Sequence, residues 1–369
     1  MQYWLPSYIG WSWRQMVSPP ARGKPVHLMF LMVDHFEPTK EQNVQPWLSG
    51  FPGVASRHRD GDGRHPRYSW FFPIENFEVN EPFVERIGEL CRRGFGEIEM
   101  HLHHHGDTAE TLRKKIRQGI EDLQQYGALR TVDGKTAFGF IHGNWALDNS
   151  VHINGRDRCG VNNELTILRE EGCFADFTFP AAGSTAQPDK VNTLYYAHDD
   201  PLRPKSYRTG IEVEAGRAPG GDLLIFQGPL SINWSDWRHI VYPAIESASI
   251  HGANPPLDRR IRQWVRAGIH VRGRPDWIFV KVHTHGASPG NWAMYFDQEW
   301  MERLFTTLEL EYNDGGDYRL HYVTAREAYN IVKAAEAGMT GDPNDYRDFL
   351  VLPYENTRPL IGQPVDSGS

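Results

Sequence analysis

Four histidines fall within five residues, His101, His103, His104 and His105, in the run EIEMHLHHHGD over residues 97–107. Such density directly after an alternating apolar segment points to a strand that ends at a site rather than to a solvated surface. His101 and His105 are four apart, so they face the same way in extended or in helical backbone. His103 joins them only in a strand, where His104 turns to the other face. Neutral imidazole is a usual nitrogen ligand of Zn²⁺, so the group suits a metal centre. A polar, partly buried turn is the alternative reading.

Other strand-like runs end in the same way. Residues 26–33 (VHLMFLMV) read as a strand buried on both faces, followed by Asp34, His35, Phe36 and Glu37. Residues 277–282 lead into His283-Thr284-His285-Gly286, and residues 136–141 into His142-Gly143-Asn144-Trp145. A barrel gathers its strand ends at one rim. Imidazole and carboxylate gathered there would bind a divalent cation, most simply zinc, through three protein ligands with a position left for water. Metal coordination lowers that water's pKa and polarises the carbonyl under attack. A nearby carboxylate then takes a proton and an imidazole returns one to the leaving group. Amide or ester hydrolysis is the chemistry these residues suit.

The elements that must position them alternate. Aromatic residues 68–72 (YSWFF) predict a second strand, residues 81–93 a helix, and residues 97–101 the strand carrying the histidines. Asp107 with Glu110 predicts a capping arrangement for the helix that follows. Residues 162–171 predict a helix and 174–179 a strand; 223–226, 257–267, 277–282, 297–312 and 320–323 continue the pattern, and Thr324 with Glu327 opens a last helix. Residues 40–66, rich in Gly, Pro and Asp, read as a long loop, with DGDG a turn that lacks the spacing of a calcium loop. Alternating strands and helices imply right-handed βαβ units, a parallel sheet and a closed or nearly closed barrel, elaborated around 180–255. The expected division is an N-terminal arm over 1–25, the barrel over 26–338 and a C-terminal extension over 339–369.

With 369 residues, 40% hydrophobic and 23% charged, the chain can bury a large core. Its net charge of −8 gives no general attraction to a phosphate backbone, which argues against nucleic acid as a partner. Cys91, Cys159 and Cys173 are an odd number and suit a reduced compartment. We see no signal peptide and no apolar run of membrane-spanning length, so the expected location is cytoplasmic.

Taken in order, FLMVDHF, YSWFF and EIEMHLHHH make the chain resemble the polysaccharide deacetylases, the NodB-like carbohydrate esterase family 4 superfamily. The resemblance is best over residues 26–126 and weaker to about 338. It implies a distorted (β/α)7-type barrel and metal-dependent removal of N- or O-acetyl groups from a carbohydrate such as an acetylated amino sugar, oligosaccharide or polysaccharide precursor. It implies Asp34 as catalytic base, His101 and His105 as metal ligands, and His283 in VKVHTHG as general acid. The family's second aspartate is His35 here, so the third metal ligand is either His35, giving a three-His site, or an oxygen of Glu37 or Asp34, with Glu37, His103 and His285 as further ligands or their supports. Its Arg-Pro-rich strand end is replaced by IHGNWALD, where His142, Asn144 and Trp145 become candidates for holding substrate. Trp234, Trp237 and Trp292 could stack on sugar rings.

Two competing readings remain at this level. A catalytically degenerate relative would bind glycan or scaffold polysaccharide assembly. An amidohydrolase-type metal hydrolase would use the HxH pairs, although that fold expects its first pair at the end of the first strand, where this chain has Asp34.

Overall fold

β1 (Val26–His35) is apolar on both faces because both are covered. Leu28, Phe30 and Met32 pack into one buried cluster with Trp47, Tyr68 and Ile98, whereas Met29, Leu31 and Val33 join another with Phe71, Ile141, Phe226 and Phe279. A strand buried on two sides is what a mostly parallel sheet requires. The structure, a computed structural model, describes residues 3–17, 19, 22–23, 25–75, 77–233 and 244–357.

Among these residues β1 belongs to a 12-stranded sheet with β2 (Tyr68–Pro73), β3 (Gly96–Leu102), β4 (Phe138–His142), β5 (Cys173–Asp176), β6 (Leu194–Ala197), β7 (Ile211–Glu212), β8 (Leu223–Phe226), β9 (Ser249–Ile250), β10 (Ile269–His270), β11 (Trp277–Thr284) and β12 (Tyr318–Tyr322). The strand order is β9-β11-β1-β2-β3-β4-β5-β8-β6-β7, with β10 on β11 and β12 beside the first half of β1. Pairing is parallel from β9 through β8, while β6, β7 and β10 pair antiparallel. The architecture is mixed α/β.

The register brings the carboxyl ends together. Val33 lies beside His283, His35 beside Phe71, Pro73 beside His101, and Leu102 beside His142. The face carrying Met29 and Leu31 is concave: Phe71 contacts Phe177 at 5.8 Å between ring centroids, Phe177 contacts Phe226 at 5.1 Å, and Phe226 contacts Phe279 of β11 at 5.6 Å. Lys281 donates from β11 to the carbonyls of Phe177 and Phe179 across that concavity. Among the described residues no ladder closes the ring, since the paired path ends at β9 and β7.

Most predicted elements appear within a few residues of their expected bounds, and the Thr324–Glu327 capping box is present. Residues 40–66 are a correction, because Glu41–Ala55 form a helix through Pro46, Gly50, Pro52 and Gly53. Local propensity opposes a helix there. Tertiary burial of Val44, Trp47, Phe51 and Ala55, spaced three and four apart on one face, overrides it. The helix after the histidine run is also capped differently from expectation: Thr108 and Thr111 form its capping box, and Asp107 binds His104 and Lys115 instead.

In the N-terminal arm, Leu5–Val17 form a helix with no buried residue; Trp4, only 2% exposed, anchors it against Val191 and Leu230. No helix of the described residues is long and apolar enough to cross a membrane. All three cysteines are free and buried. Trp234, Trp237 and the C-terminal residues from 358 lie outside the described residues.

Candidate metal centre

His35 ends β1, His101 is the penultimate residue of β3, and Glu37, His103 and His285 follow their strands by one or two positions. These five come together. The His35 ring stacks on His285 at 4.5 Å and meets His101 edge-on at 4.8 Å, and His101 meets His103 at 4.7 Å. His101 Nδ1 lies 3.0 Å from the carbonyl oxygen of Ile141, to which it can only donate, so Nε2 is left facing Glu37 Oε1 at 3.0 Å. His103 Nδ1 lies 2.5 Å from Glu75 Oε1, and its Nε2 is 3.6 Å from Glu37 Oε1. The His35 Nδ1 atom is buried without a hydrogen-bond partner.

Burial holds His35 well below the usual imidazole range, with the charge of His101 as the next cause, and burial likewise lowers His285. Burial raises Glu37, but the hydrogen bond and charge of His101 outweigh it, so its carboxyl titrates below its ordinary value. For His103 burial is outweighed by Glu75 and Glu37, and its pKa rises. The donor set fits a divalent cation: His35 and His285 held neutral by burial, an ionised carboxylate at Glu37, and the rings of His101 and His103 oriented by a carbonyl and a second carboxylate. The described residues give two ligand-sized groups here, His35/Glu37/His285 and Glu37/His101/His103. A cleft of about 280 Å³ opens beside them, lined by Glu37, Thr39, Pro73, Glu75, Asn80 and His103. A larger depression of about 830 Å³, with Trp11, Arg14, Thr193 and Arg272 in its walls, has none of these groups.

Several expected residues stand elsewhere. Asp34 leaves β1 on the face opposite His35, because side chains alternate along a strand. Its Oδ1 accepts the Gly286 N–H at 2.7 Å, its Oδ2 accepts the Tyr68 O–H at 2.9 Å, and it is 0% exposed. Burial raises its pKa to about 7 against those two bonds. Facing away from the cluster, this carboxylate ties the loop after β11 to the start of β2.

His105 is exposed and outside both groups. The four-residue spacing assumed one continuous backbone type from 101 to 105, but β3 stops at Leu102 and a loop follows. His283 lies in β11 on the face of Lys281 and His285, nearly buried and held far below the usual range by burial. It adjoins the cluster without entering either group.

Of the three expected substrate contacts only Trp145 faces the site, half-buried and 6.5 Å from the His35 ring. His142 points away with Phe138 and Phe140. Asn144 donates to the carbonyls of His104 and Arg158, joining loops.

His142 belongs instead to a second buried group with His104, Cys159 and Glu164 that could hold a metal ion. Most of its polar atoms are hydrogen-bonded, the exception being His142 Nε2, which is buried without a partner. His104 Nδ1 meets Asp107 and Nε2 meets Glu164, each at 3.0 Å, and these carboxylates, against burial, raise it to about 9. His142 Nδ1 accepts the N–H groups of Asn144 and Ala146, which puts its proton on Nε2, and that atom is 3.9 Å from Glu164 Oε1.

Glu75, Cys159 and Glu164 escaped the sequence reading. Glu75 follows β2 by two residues, so the strand-end rule applied to Asp34 and His101 would have found it. Cys159 and Glu164 sit in a loop and a short helix with no such signal.

No protein-family model and no curated protein matches the chain. Among solved structures, a 4-alpha-glucanotransferase from Thermococcus litoralis is similar with a TM-score of 0.43 and 13% identity over 81% of this chain. The match takes in 39% of that enzyme, so this chain spans about two fifths of its length. A candidate polysaccharide deacetylase from Mycobacterium smegmatis is similar with a TM-score of 0.42 and 14% identity, over 87% of this chain and 96% of the other. Likeness at that level carries no argument about activity, so the chemistry rests on the site itself.

Proposed function

We propose that the chain is a metal-dependent hydrolase that removes N- or O-linked acetyl groups from a carbohydrate, and that its curled sheet is a distorted (β/α)7-type barrel. The observation that carries the reading is His101: its Nδ1 proton goes to Ile141, and its remaining nitrogen faces a carboxylate oxygen of Glu37 at 3.0 Å. That arrangement asks for a cation between them or a proton on the ring. His35, with a buried unpartnered nitrogen in the same contact shell, supports the cation. The carbohydrate comes from the resemblance carried by FLMVDHF, YSWFF and EIEMHLHHH.

In this reading His35, Glu37, His101, His103 and His285 hold the metal, with zinc as the first choice for imidazole and carboxylate. A divalent ion bound there supplies Lewis acidity, activating water and polarising the acyl carbonyl. The chain's own residues do the rest. Glu75, the second carboxylate on the cleft, takes the proton of the attacking water, although both its oxygens also contact His103; Asp34, buried on the opposite face of β1, does not border the cleft. The proton that Glu75 takes is then passed to the leaving group, because His283, the expected acid, is held neutral by burial. Trp145 offers an edge against which a sugar ring packs.

The test is acetate release from acetylated amino-sugar oligomers by the full chain, before and after chelation and readdition of Zn²⁺. Turnover that disappears with chelator and in His101→Ala supports the hydrolase. The buried, hydrogen-bonded Asp34 favours one other reading, a catalytically degenerate glycan-binding protein. Oligomer binding without acetate release from metal-loaded protein would establish that reading instead.

A further inference from the structure

We infer that this site holds two divalent cations, bridged by Glu37. The inference rests on the metal reading above and deepens it. The donors fall into two triads that share one residue: His35, Glu37 and His285 on one side, and Glu37, His101 and His103 on the other, each with its ligand atoms within 4.8 Å of one another. Ligands about 2.0–2.2 Å from zinc lie at most about 4.4 Å apart across one ion. Each triad is therefore close to a single coordination shell, whereas among the described residues the five donors do not form one group of that span. Carboxylate-bridged ions sit about 3.5–4 Å apart. His35 and His101, one from each triad, are in ring contact at 4.8 Å, so the two triads adjoin.

The supports of the two triads differ, and both point inward. His101 is oriented by the Ile141 carbonyl and His103 by Glu75, which turns both Nε2 atoms toward Glu37 Oε1, at 3.0 and 3.6 Å. On the other side His35 is 2% exposed, its Nδ1 has no partner, and its ring is stacked on His285. A buried polar nitrogen left unmatched is costly, which marks His35 as a donor without a protein partner. With three protein donors each, both ions would keep positions for water, and the triad with His103 borders the cleft.

The test uses the full chain, stripped with chelator, reloaded with Mn²⁺ and dialysed. Metal per chain is counted by elemental analysis, and the pair is read by electron paramagnetic resonance. Two ions per chain with an exchange-coupled signal are expected. His285→Ala and His103→Ala should each retain one ion with an uncoupled signal, and Glu37→Gln should lose the coupling. Circular dichroism melts identify any variant that fails to fold, and the half-buried His103 is the variant most easily tolerated. One ion per chain in the wild type overturns the inference. So do two uncoupled ions of which one is lost in Cys159→Ser, because the second then sits with His104 and Glu164. One ion with acetate release leaves the hydrolase standing while the bridged pair falls, and a folded chain that binds no ion removes both.

Discussion

Asp34 Oδ1 accepts the backbone N–H of Gly286 at 2.7 Å, so the carboxylate that ends β1 clasps the loop that leaves β11. Trp47 Nε1 donates to the carbonyl of the same glycine at 3.0 Å, which ties in the helix over Glu41–Ala55. Asp34 thereby holds His285 in place while its neighbour His35 meets the cleft cluster from the other face.

Asp34→Asn should therefore cost stability more than turnover. Replacing one of its two buried acceptor oxygens by an amide NH2 predicts destabilisation of about 1–3 kcal/mol, read from denaturant midpoints. Acetate release should stay within about tenfold of wild type, while Glu75→Gln loses on the order of a hundredfold or more as a missing general base. The reverse order of effects would return the base to Asp34.

Gly286→Ala tests the same clasp sterically. A Cβ at 286 would lie 2.1 Å from Asp34 Oδ2 and 2.4 Å from Trp47 Cζ2. Both are buried and hydrogen-bonded, so about 1–3 kcal/mol of destabilisation is expected from overpacking. Gly290→Ala, where a Cβ meets nothing within 4 Å, is the control. Equal melting of the two variants would show that the clasp is slack.

His104 predicts a pH window. Its folded pKa is raised to about 9 from an ordinary 6.5, so its contribution is complete below 6.5 and is lost as pH rises through 9. The shift corresponds to about 3 kcal/mol. In chelator-treated protein, stability should fall between pH 6.5 and 9.5 in the wild type and change less in His104→Gln. Parallel curves would mean that the Asp107–His104–Glu164 chain does not carry the charge.

Trp145→Ala should raise KM several-fold with kcat little changed, because the ring borders His35 without bonding to the cluster. A fall in kcat at constant KM would instead place Trp145 in the reaction.

Much of this was determined by the sequence alone. Apolar runs broken by polar strand ends marked β1, β4 and β11, because a strand buried on both faces shows itself as a nearly uninterrupted apolar string, whereas β3 was marked by its alternation and the histidines at its end. Those ends also pointed to Asp34, His35, Glu37, His101, His103, His105, His283 and His285 as one neighbourhood. Tertiary structure decided which of them meet. Asp34 and His35 are separated by strand parity, and parity is set by which face of β1 is concave, a property of the curled sheet and not of the dipeptide. His101 and His105 part because β3 ends at Leu102, a boundary that the spacing alone does not mark. The helix over Glu41–Ala55 forms against its prolines and glycines because Trp47 and Phe51 find a core contributed by β1 and β2, residues distant enough in the chain that only the folded molecule brings them under that helix.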